Sequence, residues 1–411
     1  MNVLLVNTSE TTGGAAIACG RILKALRSEG VDAHMMVRNA ESHDEGVIPV
    51  GNWLNRRWCF LWERFVIWLC NALDRNNLFK VSIANSGIDI TRTREFIEAD
   101  VINLHWVNQG MLSLKIIGKI LKSGKPVIWT MHDMWPCTGI CHHAYECNAF
   151  GSECGGCPFL RFPGKRDLSF RIFQRKLKMF EKAGNLTFVA VSSWLEDKAS
   201  KSALTGRFPV RVIPNVLPLA QFNIIDRSEA RRISGIHERY VLAFGAARID
   251  DPIKGFGYLT EALRLLVVSG QFKAEDIRLL LFGRVRDNSV LDNIPVPYSY
   301  LGYIADASNL SQVYSASDAT VSSSLYETFG QTLIEAMACG SIPVSFDGSG
   351  QTDIITHKQN GFLAQRLSAE SLAEGIAWAF NHHLPALDLR QSVISRYSES
   401  AVARQYISLF Q

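Results

Sequence analysis

The chain has 411 residues, 47% of them hydrophobic and 20% charged, enough for two cores at roughly 100–200 residues per domain. Its formal net charge of +4 is too small a bias for nucleic acid to be the main partner. Met1 to Val6 carries no basic leader and no stretch reaches about 18 uninterrupted apolar residues, so a cytoplasmic enzyme with no membrane span is expected.

In chain order, Asn2 to Asn7 reads as a buried parallel strand, followed by Thr11-Thr12-Gly13-Gly14 and a helical pattern from Ala15 to Leu26. Strand, glycine turn and helix make the first unit of a doubly wound sheet. Val31 to Val37 predicts the second strand. Further strand-like runs follow at Val101–Leu104, Val127–Thr130, Phe188–Val191 and Val210–Ile213. The proline-containing stretch Pro209 to Pro218 marks the exit from a first domain. A second series begins at Tyr240–Gly245 and continues through Arg278–Gly283, Ser299–Gly302, Ala319–Ser322 and Ile342–Ser345. Helical patterns separate these runs, as parallel pairing requires. Ligands of open α/β sheets sit beyond the carboxyl ends of the strands. The loops after Val6, Leu104, Thr130, Phe244, Phe282 and Ser322 are therefore the places to look, and would line one cleft if the two sheets face each other.

The most informative stretch runs from Ser322 to Val344. Glu327 sits in the loop after a strand, Gly330 opens a helix, and Glu335 lies on that helix. Gly330 lets backbone amides approach a phosphate closely. Two glutamates at this spacing would by themselves be solvated helix acids. The surrounding residues change that reading. Glu327, seven residues, then Glu335, with Phe329-Gly330-Gln331 between and Ala336 to Val344 after, closely resembles the signature of the retaining family 4 glycosyltransferases of GT-B fold. The resemblance extends to Gly13-Gly14, the histidines after the inner strands, Val212–Asn215, Arg248 with Lys254-Gly255, and Asn360–Leu363.

This resemblance implies an α/β protein of GT-B architecture, two Rossmann-like doubly wound parallel-sheet domains facing a central cleft. Residues 1–214 would form the acceptor-side domain, 215–385 the nucleotide-sugar-binding domain, and 386–411 a C-terminal helix packing back on the first. It implies a retaining transfer of a sugar from a UDP- or GDP-sugar to a saccharide or polyprenyl-diphosphate-linked acceptor. Glu327 and His132 are the implied catalytic residues. Arg248, Lys254, Glu335, Phe329, Gly330, Gln331, Gly13 and Gly14 are the implied donor-binding set, with His105 and Asp133 on the acceptor side. Fixed cations suit a departing diphosphate, on which negative charge develops. No Asp-x-Asp triplet occurs, which agrees with transfer needing no metal or other cofactor. The loops Phe282 to Arg286 and Gly302 to Ile304 would select the nucleotide.

Nine cysteines are present. Cys19, Cys59, Cys70 and Cys339 read as scattered small buried hydrophobes. Cys137, Cys141, Cys147, Cys154 and Cys157 crowd one stretch that resembles a subgroup from bacterial exopolysaccharide and O-antigen (colanic-acid-type) assembly. The chain departs from that pattern at Cys137, where an aromatic residue is usual, and at Ile140, where glycine is. Cys141, Cys147, Cys154 and Cys157 form a candidate structural zinc set, with packed thiols or disulfides as the other readings. Trp53 to Leu69 is aromatic-rich and helical in pattern, and Arg161 to Lys182 is basic with interleaved phenylalanines. Either could rest on an anionic membrane surface, making the protein peripheral on the inner face of the cytoplasmic membrane, or simply pack. A nucleotide-sugar epimerase of the same fold and a catalytically silent partner of a polysaccharide synthase are the rival readings. A dinucleotide oxidoreductase is disfavoured, because no Gly-x-Gly-x-x-Gly follows the first strand.

Overall fold

In the computed structural model, every residue except His43 is described. The chain divides into two compact units, Met1–Pro214 with Val402–Gln411, and Asn215–Ala401.

In the first unit, strands β1 (Asn2–Ser9), β2 (Asp32–Asn39), β3 (Val47–Pro49), β4 (Val101–Leu104), β5 (Val127–Met131), β6 (Leu186–Ala190) and β7 (Val210–Val212) form one sheet. The helices are α1 (Gly14–Ser28), α2 (Trp53–Cys70), α3 (Arg94–Glu98), α4 (Leu114–Leu121), α5 (Leu168–Phe180) and α6 (Ser193–Lys201). The strand order is β3-β2-β1-β4-β5-β6-β7, parallel throughout. Leu4 of β1 pairs with His34 on one side and Ile102 on the other. The inner strands are covered on both faces, so they are almost wholly buried and mainly apolar.

The second unit holds α7 (Arg227–Ser234), β8 (Tyr240–Arg248), α8 (Phe256–Val268), β9 (Ile277–Arg284), β10 (Tyr298–Tyr300), α9 (Ala307–Ala316), β11 (Ala319–Ser322), α10 (Gln331–Ala338), β12 (Ile342–Phe346), β13 (Phe362–Ala364), α11 (Ala369–Asn381) and α12 (Ala386–Tyr397). Its six strands follow the order β10-β9-β8-β11-β12-β13, again all parallel. The last helix, α13 (Glu399–Phe410), begins in this unit and ends in the first, where the Tyr406 hydroxyl and Thr130 Oγ1 lie 3.1 Å apart. Residues 386–401 stay with the second unit, Arg390 donating to Ala338 O at 2.8 Å.

Helix starts follow the local chemistry. Asn52, Ser113, Asp167, Ser192, Asp226, Asp306 and Ser368 each accept a backbone amide at an N-cap. The predicted strands are present. Two three-residue edge strands, β3 and β13, were not among them, being too short to carry a period and, in β3, ending at Pro49. Among the described residues, no helix is long and apolar enough to cross a membrane.

Candidate functional site

In the second unit the strand order reverses between β8 and β11, with β9 and β10 to one side and β12 and β13 to the other. A crevice at such a switch point is where doubly wound sheets bind ligands. Lys254 closes a 3-10 turn (Pro252–Lys254) after β8 whose start is capped by the Asp251 carboxylate. Its ammonium reaches Glu327 Oε2, in the loop after β11, at 2.9 Å, with both side chains only about a quarter exposed. Burial alone would lower the Lys254 pKa, but the Glu327 charge and hydrogen bond outweigh it and raise it. The two loops are laced along the backbone. Leu325 N donates to Ile253 O at 2.8 Å, and the Ser323 hydroxyl lies within hydrogen-bond reach of the Lys254 and Gly255 carbonyls. Gly255 is required here twice over. Its φ is +63°, and a Cβ would stand 2.0 Å from Ser323 O. The loop after β12 joins the same knot, Gly350 N donating to Glu327 O at 2.8 Å.

Helix α10 starts beside this knot. Gly330, at φ +108°, brings no capping side chain to its first turn, and Gln331 is the first helical residue. Glu335 is buried and receives the Tyr314 hydroxyl at 3.4 Å. The Phe329 side chain packs inward at 2% exposure, edge-on to Tyr397, so only its backbone can meet a ligand. Arg248 ends β8, paired with Asp251 at 3.2 Å and more loosely with Asp250 at 3.7 Å. It lines a cleft of about 430 Å³ together with Arg284, Arg286, Tyr300 and Tyr303. The Arg284 guanidinium lies 4.9 Å from the Tyr303 ring centre. Sequence reading reached Phe282 to Arg286 only as a selectivity loop and missed Arg284 and Arg286 as cations. Their signal was position, since Arg284 ends β9 as Arg248 ends β8, and Arg286 follows two residues later.

The first unit has its own switch point, between β1 and β4. The loops there are zipped by Thr8 N to Trp106 O at 2.9 Å and Trp106 N to Asn7 Oδ1 at 2.9 Å. Gly13, at φ +93°, caps α1, and neither it nor Gly14 has an atom within 4 Å of where a Cβ would stand. His105 follows β4 and His132 follows β5, with His105 Nδ1 and His132 Nε2 2.9 Å apart. Burial, reinforced by the neighbouring His132, holds His105 well below the usual imidazole range. Burial takes His132 down to about 4, against the pull of Asp133.

Asp133 is a hub. Its carboxylate accepts Trp106 Nε1 and Trp135 N at 2.7 and 2.8 Å and lies 2.7 Å from His142 Nδ1. Burial opposes its charge, but His142, His143 and the Trp135 amide prevail and hold it at about 2. These interior partners make Asp133 an anchor for the loop after β5.

All nine cysteines are free thiols. Cys70 is exposed, correcting the expectation that it is buried, because it sits on the outer side at the end of α2. Burial raises Cys141 far above the usual thiol range and Cys154 and Cys157 to about 11, and neighbouring cysteines push the same way. Among the described residues, no group of three or more His, Cys, Asp or Glu side chains is arranged to hold a metal ion. Cys147, Cys154 and Cys157 are all near enough to Cys141 for their charge to raise its pKa. In the same loop Gly139 N donates to Cys154 Sγ at 3.2 Å and Cys157 N to Asp167 Oδ2 at 2.9 Å. Lys176 of α5 is fully buried beside them, donating to Trp135 O and Thr138 O at 2.6 and 3.0 Å, and burial lowers it to about 7.

Known proteins resemble this chain in sequence and in fold. Residues 226–396 match the family model "Glycosyl transferases group 1". An uncharacterised glycosyltransferase of Methanocaldococcus jannaschii is 23% identical over 54% of this chain and 59% of its own length. The chain therefore spans less than two thirds of that relative. The putative colanic acid biosynthesis glycosyl transferase WcaC of Escherichia coli K12 is 24% identical over 78% of each chain. Among solved structures, Anabaena HepE in complex with UDP and glucose aligns over 100% of this chain and 99% of its own, at 16% identity and a TM-score of 0.62. That likeness carries the fold, a pair of Rossmann-like domains of GT-B type. The stretch matched by the glycosyl transferases group 1 model, residues 226–396, holds Arg248, Lys254, Glu327 and Glu335.

Proposed function

We propose that the protein moves a sugar from a nucleotide-diphosphate sugar onto a saccharide or lipid-linked saccharide acceptor, with retention of anomeric configuration, in bacterial surface polysaccharide assembly. The observation that carries this reading is the Lys254–Glu327 contact at the switch point of the second sheet. Arg248, Arg284 and Arg286 at the ends of the adjacent strands support it. Breaking the anomeric bond leaves negative charge on the diphosphate, and pre-set cations stabilise that charge without reorganising. The start of α10, opened by Gly330, adds backbone amides suited to phosphate. In this reading Lys254 and Arg248 bind the diphosphate, and Glu327 orients Lys254 and meets the transferred sugar. His132, neutral at working pH, hydrogen-bonds that sugar. Such a cation set supports transfer that needs no divalent ion. The likeness to WcaC, named for colanic acid biosynthesis, supports the polysaccharide role, and UDP bound in HepE supports a UDP-sugar as the first donor to try.

The test is a thermal-shift panel of UDP, GDP, ADP and their sugars on wild type and Arg248→Ala. One nucleotide class should raise the melting midpoint, and Arg248→Ala should weaken the apparent affinity by about tenfold or more. No shift with any nucleotide would overturn the donor reading.

A further inference from the structure

Helix α2 is built inside out. Its inner side carries Cys59, Glu63, Arg64 and Ile67. Glu63 is fully buried and accepts the Ile83 and Ala84 amides, each at 2.9 Å. Arg64 pairs with it at 3.3 Å and donates to Val81 O and the Ser82 hydroxyl at 3.1 and 3.3 Å. The outer side carries Leu54, Trp58, Leu61, Trp62, Phe65 and Leu69, which are 39 to 68% exposed. At 100° per residue these six fall within about one third of the helix circumference. A helix meant to face water turns its apolar side to the core. Here a charged pair is held inside and the apolar side is presented outward, the arrangement expected of a helix whose outer solvent is not water. The rings also form a ladder, Trp58 to Trp62 at 5.6 Å and Trp62 to Phe65 at 5.9 Å.

The chemistry around this face selects the occupant. Arg57 lies 5.4 Å from the Trp53 ring centre at the start of the helix. At its end, Arg161 N donates to Asn71 Oδ1 at 2.7 Å, docking a loop that presents Arg161, Phe162, Lys165 and Arg166, all exposed. Phe162 is 73% exposed, the same apolar tip between cations. Across residues 53–80 and 161–166 the only acids are Glu63, buried in its pair, and Asp74, half-buried. Exposed aromatics flanked mainly by cations complement an apolar layer under anionic headgroups, where tryptophan is favoured.

We propose that the outer face of α2, with the Arg161–Arg166 loop, lies on an anionic lipid bilayer, the helix parallel to the surface. The inference does not depend on the transfer reaction, and bare vesicles containing neither donor nor acceptor keep the two apart. Full-length protein would be sedimented with vesicles of phosphatidylcholine alone and with about 30 mol% phosphatidylglycerol, at low and high salt. Wild type should bind the anionic vesicles about tenfold or more above the neutral ones, with a tryptophan emission blue shift and loss at high salt. Trp58→Ser with Phe65→Ser should reduce binding at least about tenfold while leaving the melting midpoint in place, since both side chains are exposed. Arg161→Glu, Lys165→Glu and Arg166→Glu together should do likewise. Arg171→Glu with Arg175→Glu on α5 should change little. Equal binding by wild type and the α2 variant would overturn the proposal. So would a wild-type dimer that the α2 variant splits while no vesicle binding is seen, for then the face joins two copies of this chain.

Discussion

His105 and His132 are 27 positions apart in sequence, yet their ring nitrogens are 2.9 Å apart at the ends of adjacent strands. The sequence marked each as a polar residue ending an apolar run, but not that they would pair, because pairing depends on which strands become neighbours. Both are held neutral by burial, His132 with a pKa of about 4. A histidine whose folded pKa lies below its unfolded value near 6.5 binds its proton more readily when unfolded. Its contribution to stability is therefore complete above about pH 6.5 and is lost as pH falls toward 4. Denaturant unfolding between pH 7.5 and 4.5 should show a loss of about 2–3 kcal/mol from His132 over this window. A His105→Gln, His132→Gln double variant should flatten that slope. An unchanged slope would show that the pair does not titrate with folding. Asp133 makes a different point, since the resemblance placed it on the acceptor side while the structure commits its oxygens to Trp106, Trp135 and His142.

At the scale of elements, loops after β8 and β11 meet only because Gly255 lets them. Gly235, which ends α7, has nearly the same φ, +64°, but nothing within 4 Å of a Cβ. Gly235→Ala should cost only the left-handed conformation, about 1 kcal/mol. Gly255→Ala carries that cost plus a forced separation from Ser323 O, and should destabilise by more than about 2 kcal/mol and weaken nucleotide binding. Equal melting midpoints for the two variants would show that the contact does not constrain the loops. The comparison of α2 with α5 shows where pattern reading stops. Both are rich in aromatics and bases, and each could turn either side inward. Helix α5 buries Phe173 and Phe180, the latter among Trp129, Phe188 and Phe208, and takes Lys176 inside with them. Helix α2 instead buries an ion pair, because the irregular backbone near Ile83 and Ala84 needs an acceptor for its amides. That demand comes from a distant segment and leaves no mark in the periodicity of α2.

Taken whole, the chain holds two sheets, each with its own helices and buried strands. Cores of this size can unfold separately, and a ligand stabilises only the unit that binds it. Calorimetry should resolve two transitions. A nucleotide at about a hundredfold over its Kd should raise only the one belonging to residues 215–401, by roughly 5–10 °C. A single transition moving as one would show that the units unfold together. Much of this organisation was written locally. Apolar runs announced the inner strands, Gly13-Gly14 and Gly330 announced turns, and the residues from Glu327 to Val344 carried the family resemblance, because each depends on neighbours in sequence. What the tertiary structure alone decided depends on neighbours in space. The strand orders put Lys254 beside Glu327 and gathered Arg284 and Arg286 around Arg248. The packing closed Phe329 into the core and turned the apolar side of α2 outward. Local sequence specifies how a segment folds; which of its faces is buried is set by the partner that the rest of the chain brings to it.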